Sequence, residues 1–195
     1  MFSPAEDGSD SSLDDIIEAV NHFKWFDYIL DTFDKKIDSE YLKYLHLLLK
    51  RNTSQDGKDY SPVGNYKKYP NEIGDFQTTD PDDVADAIEK LINEYSCKDS
   101  LEIKDVIDFH FKFERIHPFS DGNGRVGRLI MYKECLKHNI LPFILKNEHR
   151  AFYYRGLNFW REQVAFLLDT IGMEQDIYVE FLARMSFDVN TLTSK

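Results

Sequence analysis

A chain of 195 residues, 42% hydrophobic and 14% aromatic, carries enough apolar surface for one folded domain, which excludes disorder of the whole. Its formal net charge of -11 argues against nucleic-acid or anionic-membrane partners, because consecutive basic residues occur only as the pairs Lys35-Lys36, Lys50-Arg51 and Lys67-Lys68. Cys97 and Cys135 form no CxxC pattern, no apolar leader follows a basic start, and no run of about 18 apolar residues is present to span a bilayer; a reduced, cytoplasmic protein is expected.

Residues 1–12 are small, polar and acidic and read as a flexible lead-in to a single domain over 13–190. After Ser12 a helix is expected. Asp14 and Asp15 suit its N-terminus, and Ile16, Val20, Phe23, Phe26 and Leu30 recur at helical spacing. A second helix follows from Ser39, with Leu42, Leu45, Leu48 and Leu49 on one face. Gly57, Pro62, Gly64, Pro70 and Gly74 then punctuate residues 52–79, where Asn65–Tyr69 and Asn71–Ile73 could pair as a short hairpin. Asp80 as N-cap and Pro81 at the first helical position open a third helix, buried through Val84, Ala87, Ile88, Leu91, Ile92 and Tyr95. Further helical periods cover roughly 102–116, 124–138, 149–168 and 173–186. The expected fold is all-α with one small β element.

The chemistry concentrates in His117-Pro118-Phe119-Ser120-Asp121-Gly122-Asn123-Gly124-Arg125-Val126-Gly127-Arg128. Pro118 disfavours helical geometry for the residue before it, so a helix ends near Ile116 and His117 projects into a loop. Asp121-Gly122-Asn123-Gly124 can take left-handed backbone conformations and expose bare N–H groups. A new helix begins directly afterwards, which makes the loop an anion cradle. Arg125 and Arg128, three residues apart, face one side and suit a polyphosphate. Asp121 offers an oxygen ligand for Mg²⁺, and His117 a proton acceptor. Singly these features are bland: a histidine before proline is mostly a helix end, Gly-Asn-Gly mostly a turn, two arginines mostly a solvated face. Together, within twelve residues, they describe a phosphoryl- or nucleotidyl-transfer site.

HPFSDGNGRVGR matches the signature HPFx(D/E)GNGRxxR, and the chain resembles the Fic family. Glu18–Phe23 resembles that family's early helix, Val63–Gly74 its flap hairpin, and Leu141–Phe143 with Arg150–Leu157 the segment after the motif. The resemblance implies a helical bundle with a hairpin flap that transfers AMP from ATP, with Mg²⁺, to a Ser, Thr or Tyr hydroxyl of a target protein. His117 would be the base and Asp121 the metal ligand. The amides of Gly122, Asn123 and Gly124, helped by the Asn123 side chain, would stabilise phosphate charge, and Arg125 and Arg128 would hold the β- and γ-phosphates. Asn71, Glu72, Ile73 and Gly74 of the flap would pin the target and close over the nucleotide. Tyr153 and Tyr154 fall where the family contacts the nucleoside, although core packing is an equal reading. His22 and His110 read as structural, and His149 is unassigned.

Relatives carry an inhibitory (S/T)xxxE(G/N) motif whose glutamate pairs with the second motif arginine. Here Glu6 has Phe2 four residues before it, and Glu174 has Thr170 before it but Gln175 after it. The resemblance therefore implies a chain, either trimmed at its N-terminus or naturally lacking the segment, that has no brake of its own and modifies itself readily. It also admits a homodimer through exposed helices. The competing readings are AMP removal, transfer of another nucleotide, and a non-catalytic nucleotide-binding regulator; a base beside the phosphate loop argues against the last.

Overall fold

The computed structural model describes residues 13–74, 76–98 and 100–185. Among these are seven α-helices and one two-stranded antiparallel hairpin. The elements run α1 (Leu13–Thr32), α2 (Ser39–Lys50), β1 (Glu72–Ile73), β2 (Phe76–Gln77), α3 (Val84–Ser96), α4 (Ile103–Ile116), α5 (Asn123–Lys137), α6 (Arg150–Asn158) and α7 (Ala165–Arg184). Local chemistry sets most starts. The Asp38 carboxylate accepts from Tyr41 N at 2.7 Å and caps α2. Asp80 accepts from Asp82 N at 3.1 Å, and Pro81 opens a single 3₁₀ turn that runs into α3. At the head of α4, Asp105 reaches back to Glu102 N at 2.9 Å.

Two apolar cores result. The first joins α1 to α5 around Trp25, Leu45, Ile88, Phe113 and Phe119. The second, built on Ile107, Met131, Tyr153, Leu157 and Leu167, binds α4 and α5 to α6 and α7. The α4–loop–α5 segment thus runs between them, fixed from both sides. None of the described helices is long and apolar enough to cross a membrane.

Helix α1 forms where expected but turns the other way. Its buried residues are Glu18, Asn21, Trp25, Ile29 and Thr32, whereas Leu13 and Phe23 are 72% and 73% exposed, and Ile16, Val20 and Leu30 also face outward. Tertiary partners decide this. Asn21 Nδ2 donates to Leu49 O at 2.9 Å and Arg51 O at 2.8 Å, closing the carbonyl end of α2, and Glu18 pairs with the buried Lys50 ammonium.

Two other expectations are corrected. The hairpin pairs Glu72 with Gln77 and Ile73 with Phe76, not 65–69 with 71–73. Gly74, at φ 57°, lets the chain reverse after Ile73, while Lys67 is tied down elsewhere. The helix expected over 149–168 ends at Asn158, where Trp160 turns its indole N–H to Asp108 at 3.0 Å, and α7 then runs unbroken through Gly172, beside which a Cβ would meet open space.

Candidate active site

The loop between α4 and α5 is held from inside by two residues. Phe119 is fully buried and stacks on His46 with ring centroids 4.1 Å apart. Asn123, 1% exposed, accepts from Phe119 N at 2.9 Å and donates to Phe119 O at 2.8 Å. Its side chain is thus committed to the loop's own backbone, and what it offers an anion is its main-chain N–H. Of Asp121–Gly124 only Gly122 is left-handed (φ 80°). A Cβ there would also lie 3.0 Å from a Leu49 methyl. Helix α5 starts at Asn123, so the first-turn amides of Asn123, Gly124 and Arg125 open towards the loop.

His117 terminates α4 in a left-handed conformation (φ 54°, ψ 61°), its N–H bonded to Phe113 O at 2.9 Å. Nδ1 lies 3.3 Å from the Glu114 carbonyl, which can only accept. The Nδ1–H tautomer follows, and Nε2 is left as the acceptor. Burial pushes this imidazole down to about 4, so at neutral pH it is an uncharged base. His46 is also lowered to about 4 by burial and uses its Nδ1 to accept from Gly64 N at 3.0 Å.

Arg125 and Arg128 both rise from the start of α5. Arg125 pairs with Asp121 Oδ2 at 3.2 Å and with Glu18 of α1. Arg128 lies deeper, near Glu114 and Tyr153, both of which raise its pKa against the desolvation that lowers it. Burial raises Glu114 itself to about 7, with Arg128 pulling the other way. Asp121, half exposed, is also bound by Lys50. Among the described residues no three His, Cys, Asp or Glu side chains gather around one point. One carboxylate beside an amide-lined loop nevertheless fits Mg²⁺, which takes one or two carboxylates and completes its shell with phosphate and water.

The flap is tied to this loop. Asn71 Nδ2 donates to Phe119 O at 3.1 Å, and Lys67, 4% exposed, donates to Asn71 Oδ1 at 2.7 Å and Thr78 Oγ1 at 2.6 Å. Lys67 N also bonds Pro118 O at 2.8 Å. Glu72 and Gly74 are exposed, and Ile73 joins Phe76, Phe111, Arg115 and Leu157 in a cleft of about 440 Å³ between the flap and α6. Arg115 places Cζ over the Phe76 ring, 3.2 Å from its centre. Tyr154 is half-buried, whereas Tyr153 is 1% exposed and hydrogen-bonded to His110, behind the site. Glu174 is committed elsewhere, accepting from Lys146 N at 2.9 Å and facing His149 Nδ1 at 3.0 Å.

The structure therefore gathers His117, Asp121–Arg125, Arg128 and Asn71, and adds Glu18, Lys50, Lys67, His46 and Glu114, none of which carries a sequence signal for this site. Lys67→Met should release the flap. Loss of charge-assisted hydrogen bonds worth about 1.5–3 kcal/mol each implies at least roughly tenfold faster amide exchange in β1 and β2, with α4 and α5 unchanged. Equal protection in both proteins would remove Lys67 as the anchor.

Residues 36–135, just over half of the chain, match the model of the Fic/DOC family, and the chain belongs to that family. It is 34% identical over 91 residues to the protein adenylyltransferase Fic of Aedes aegypti, a match covering 44% of this chain and 18% of that protein. The chain so spans about a fifth of the length of the curated relatives it matches. Among solved structures it is similar to Fic-1 of Caenorhabditis elegans, with a TM-score of 0.73 at 17% identity, covering 90% of this chain and 53% of that one. It is also similar to a Fic-domain signalling protein from Bacteroides thetaiotaomicron, with a TM-score of 0.72 at 18% identity over 88% of this chain and 71% of that one. These two likenesses establish the fold.

Proposed function

We propose that this chain is a protein adenylyltransferase, moving AMP from ATP to a Ser, Thr or Tyr hydroxyl of a target protein and, at some rate, to itself. The observation that carries the reading is the neutral, acceptor-only Nε2 of His117 at the mouth of an amide-lined loop that also bears Arg125 and Arg128. A site that only bound nucleotide would need the loop and the arginines but no base. The name of the Aedes relative supports the same activity.

In this reading His117 Nε2 takes the proton as the target oxygen bonds to the α-phosphorus; the bond from that phosphorus to the β-phosphate bridging oxygen breaks, and pyrophosphate leaves. General-base help of this kind is worth about 10²–10⁴-fold. The amides opening α5 stabilise the phosphates, and Arg128 and Arg125 grip the leaving group. Asp121 would hold Mg²⁺, which supplies positive charge to the polyphosphate. The cleft under the flap, with Ile73, Phe111 and Leu157 as apolar walls, is the proposed seat of the nucleoside, and Tyr153 supports that wall from behind through His110. The target's backbone would add to the edge of the flap.

Incubation with each of the four nucleoside triphosphates and Mg²⁺, followed by intact-mass measurement of the chain and of added proteins, checks this. A gain of one AMP, from ATP and not from the others, is expected. A gain of phosphate alone, or of no mass with any nucleotide, would remove the proposal.

A further inference from the structure

Four charged side chains close a ring beside the anion loop. Lys50, the last residue of α2, donates to Glu18 Oε1 at 2.6 Å and to Asp121 Oδ2. Arg125 Nη2 meets the same Asp121 oxygen at 3.2 Å, and Nη1 meets Glu18 Oε2. Glu18 and Lys50 are 8% and 3% exposed, whereas the Asp121 side chain keeps 46% of its surface. The ring holds two cations and two anions and is neutral. Its inner pair cannot leave, because a buried charge without a partner is strongly disfavoured. The outer carboxylate can.

We propose that Lys50 is the resident counter-cation of Asp121: its ammonium neutralises the metal-ligating carboxylate until a polyphosphate arrives to take that ammonium, so divalent cation and nucleotide bind together and not metal first. The proposal rests on the reading of Asp121 as a Mg²⁺ ligand. The charge arithmetic supports it. A divalent ion alone would add two positive charges to a neutral ring in which both cations already face Asp121. A metal-bound triphosphate is net negative and gives Lys50 and Arg125 new anions as Asp121 turns away. Glu18, held by both cations, stays and keeps Arg125 aimed at the loop, which makes Lys50 and Glu18 positioning residues.

The test needs no transfer chemistry. Mn²⁺ binding to the full chain is measured by water-proton relaxation without nucleotide, and binding of a non-hydrolysable ATP analogue is measured separately in excess chelator. For Lys50→Met, Mn²⁺ affinity should rise on the order of ten- to a hundredfold, as loss of a unit charge beside a partly buried carboxylate implies, while affinity for the metal-free analogue falls. The rise should vanish in Lys50→Met/Asp121→Asn. Should the single variant fold poorly, Glu18→Gln/Lys50→Met removes the stranded carboxylate and should show the same gain for Mn²⁺. An unchanged Mn²⁺ affinity, or a joint weakening of both ligands, would overturn the proposal by reducing Lys50 to a packing role. Because neither measurement depends on AMP transfer, an inactive wild type would overturn the adenylyltransferase reading without deciding this one.

Discussion

His117→Ala is expected to lower AMP transfer by about 10²–10⁴-fold while ATP binding stays near the wild-type level. Its ring contacts the Glu114 carbonyl and its backbone closes α4, so alanine leaves the α5 amides and the two arginines in place. Labelled-ATP transfer and a separate binding titration check the two halves of the expectation. Loss of binding in step with transfer would mean that the imidazole holds the nucleotide and does not act as a base. The pH dependence sharpens the same point. Burial holds His117 at about 4 in the folded chain, so the acidic limb of kcat/KM should fall near that value and not near the ~6.5 of a free imidazole. The sign for stability is opposite to that of an ion-paired histidine. His46 and His117 are depressed, so the unfolded chain binds more protons below about 6.5, and their contribution to stability fades as pH falls from there towards about 4.

Asn123→Ala should be the most damaging change within the loop that leaves the base and both arginines intact. It strips the buried Phe119 N–H of its acceptor and takes one of two donors from Phe119 O, the other being Asn71 Nδ2. An orphaned buried donor costs about 1–3 kcal/mol and a lost hydrogen bond about 1 more, so roughly 2–4 kcal/mol of stability should go. Chemical denaturation measures this. Because Phe119 is the loop's core anchor, KM for ATP should rise as well. Asn123→Asp isolates the donor: it keeps an acceptor for Phe119 N–H but turns a carboxylate oxygen against Phe119 O, and its charge at the start of α5 opposes phosphate, so KM for ATP should rise further than in the alanine variant. A stability loss below about 0.5 kcal/mol for alanine would show that the loop is fixed by Phe119 packing alone.

The histidine, the loop and the paired arginines of the candidate site were legible because twelve consecutive residues carry them, and the helical class was legible from apolar periodicity. What escaped comes from single residues brought in by distant segments. Lys67 is in the sequence only one member of a basic pair with Lys68, and burial ties it to Asn71 and Thr78. Lys50 and Glu18 are ordinary helix charges 32 positions apart until both face Asp121 and Arg125. The hairpin register slipped because a Gly74 reversal and the Lys67 anchor outweigh the β-propensity of Tyr66 and Tyr69. Asn123 and Tyr153 illustrate a different limit. Residue type and spacing locate them at the site, yet only packing reveals that the amide of one is turned into the loop and the phenol of the other into the core.

The inward polar face of α1 has a consequence for assembly. A helix seated by leucines alone can creep along its groove at little penalty, since one apolar contact replaces another. Moving α1 by one turn would instead offer Asp14 or His22 to Lys50 and Arg125, and Ile17 or Trp25 to the carbonyls of Leu49 and Arg51, which Asn21 now serves. Such a mismatch strands buried hydrogen-bonding groups, so α1 fits like a key with a single working depth. The wall beside the α4–α5 loop is then complete at one docking position and at no neighbouring one.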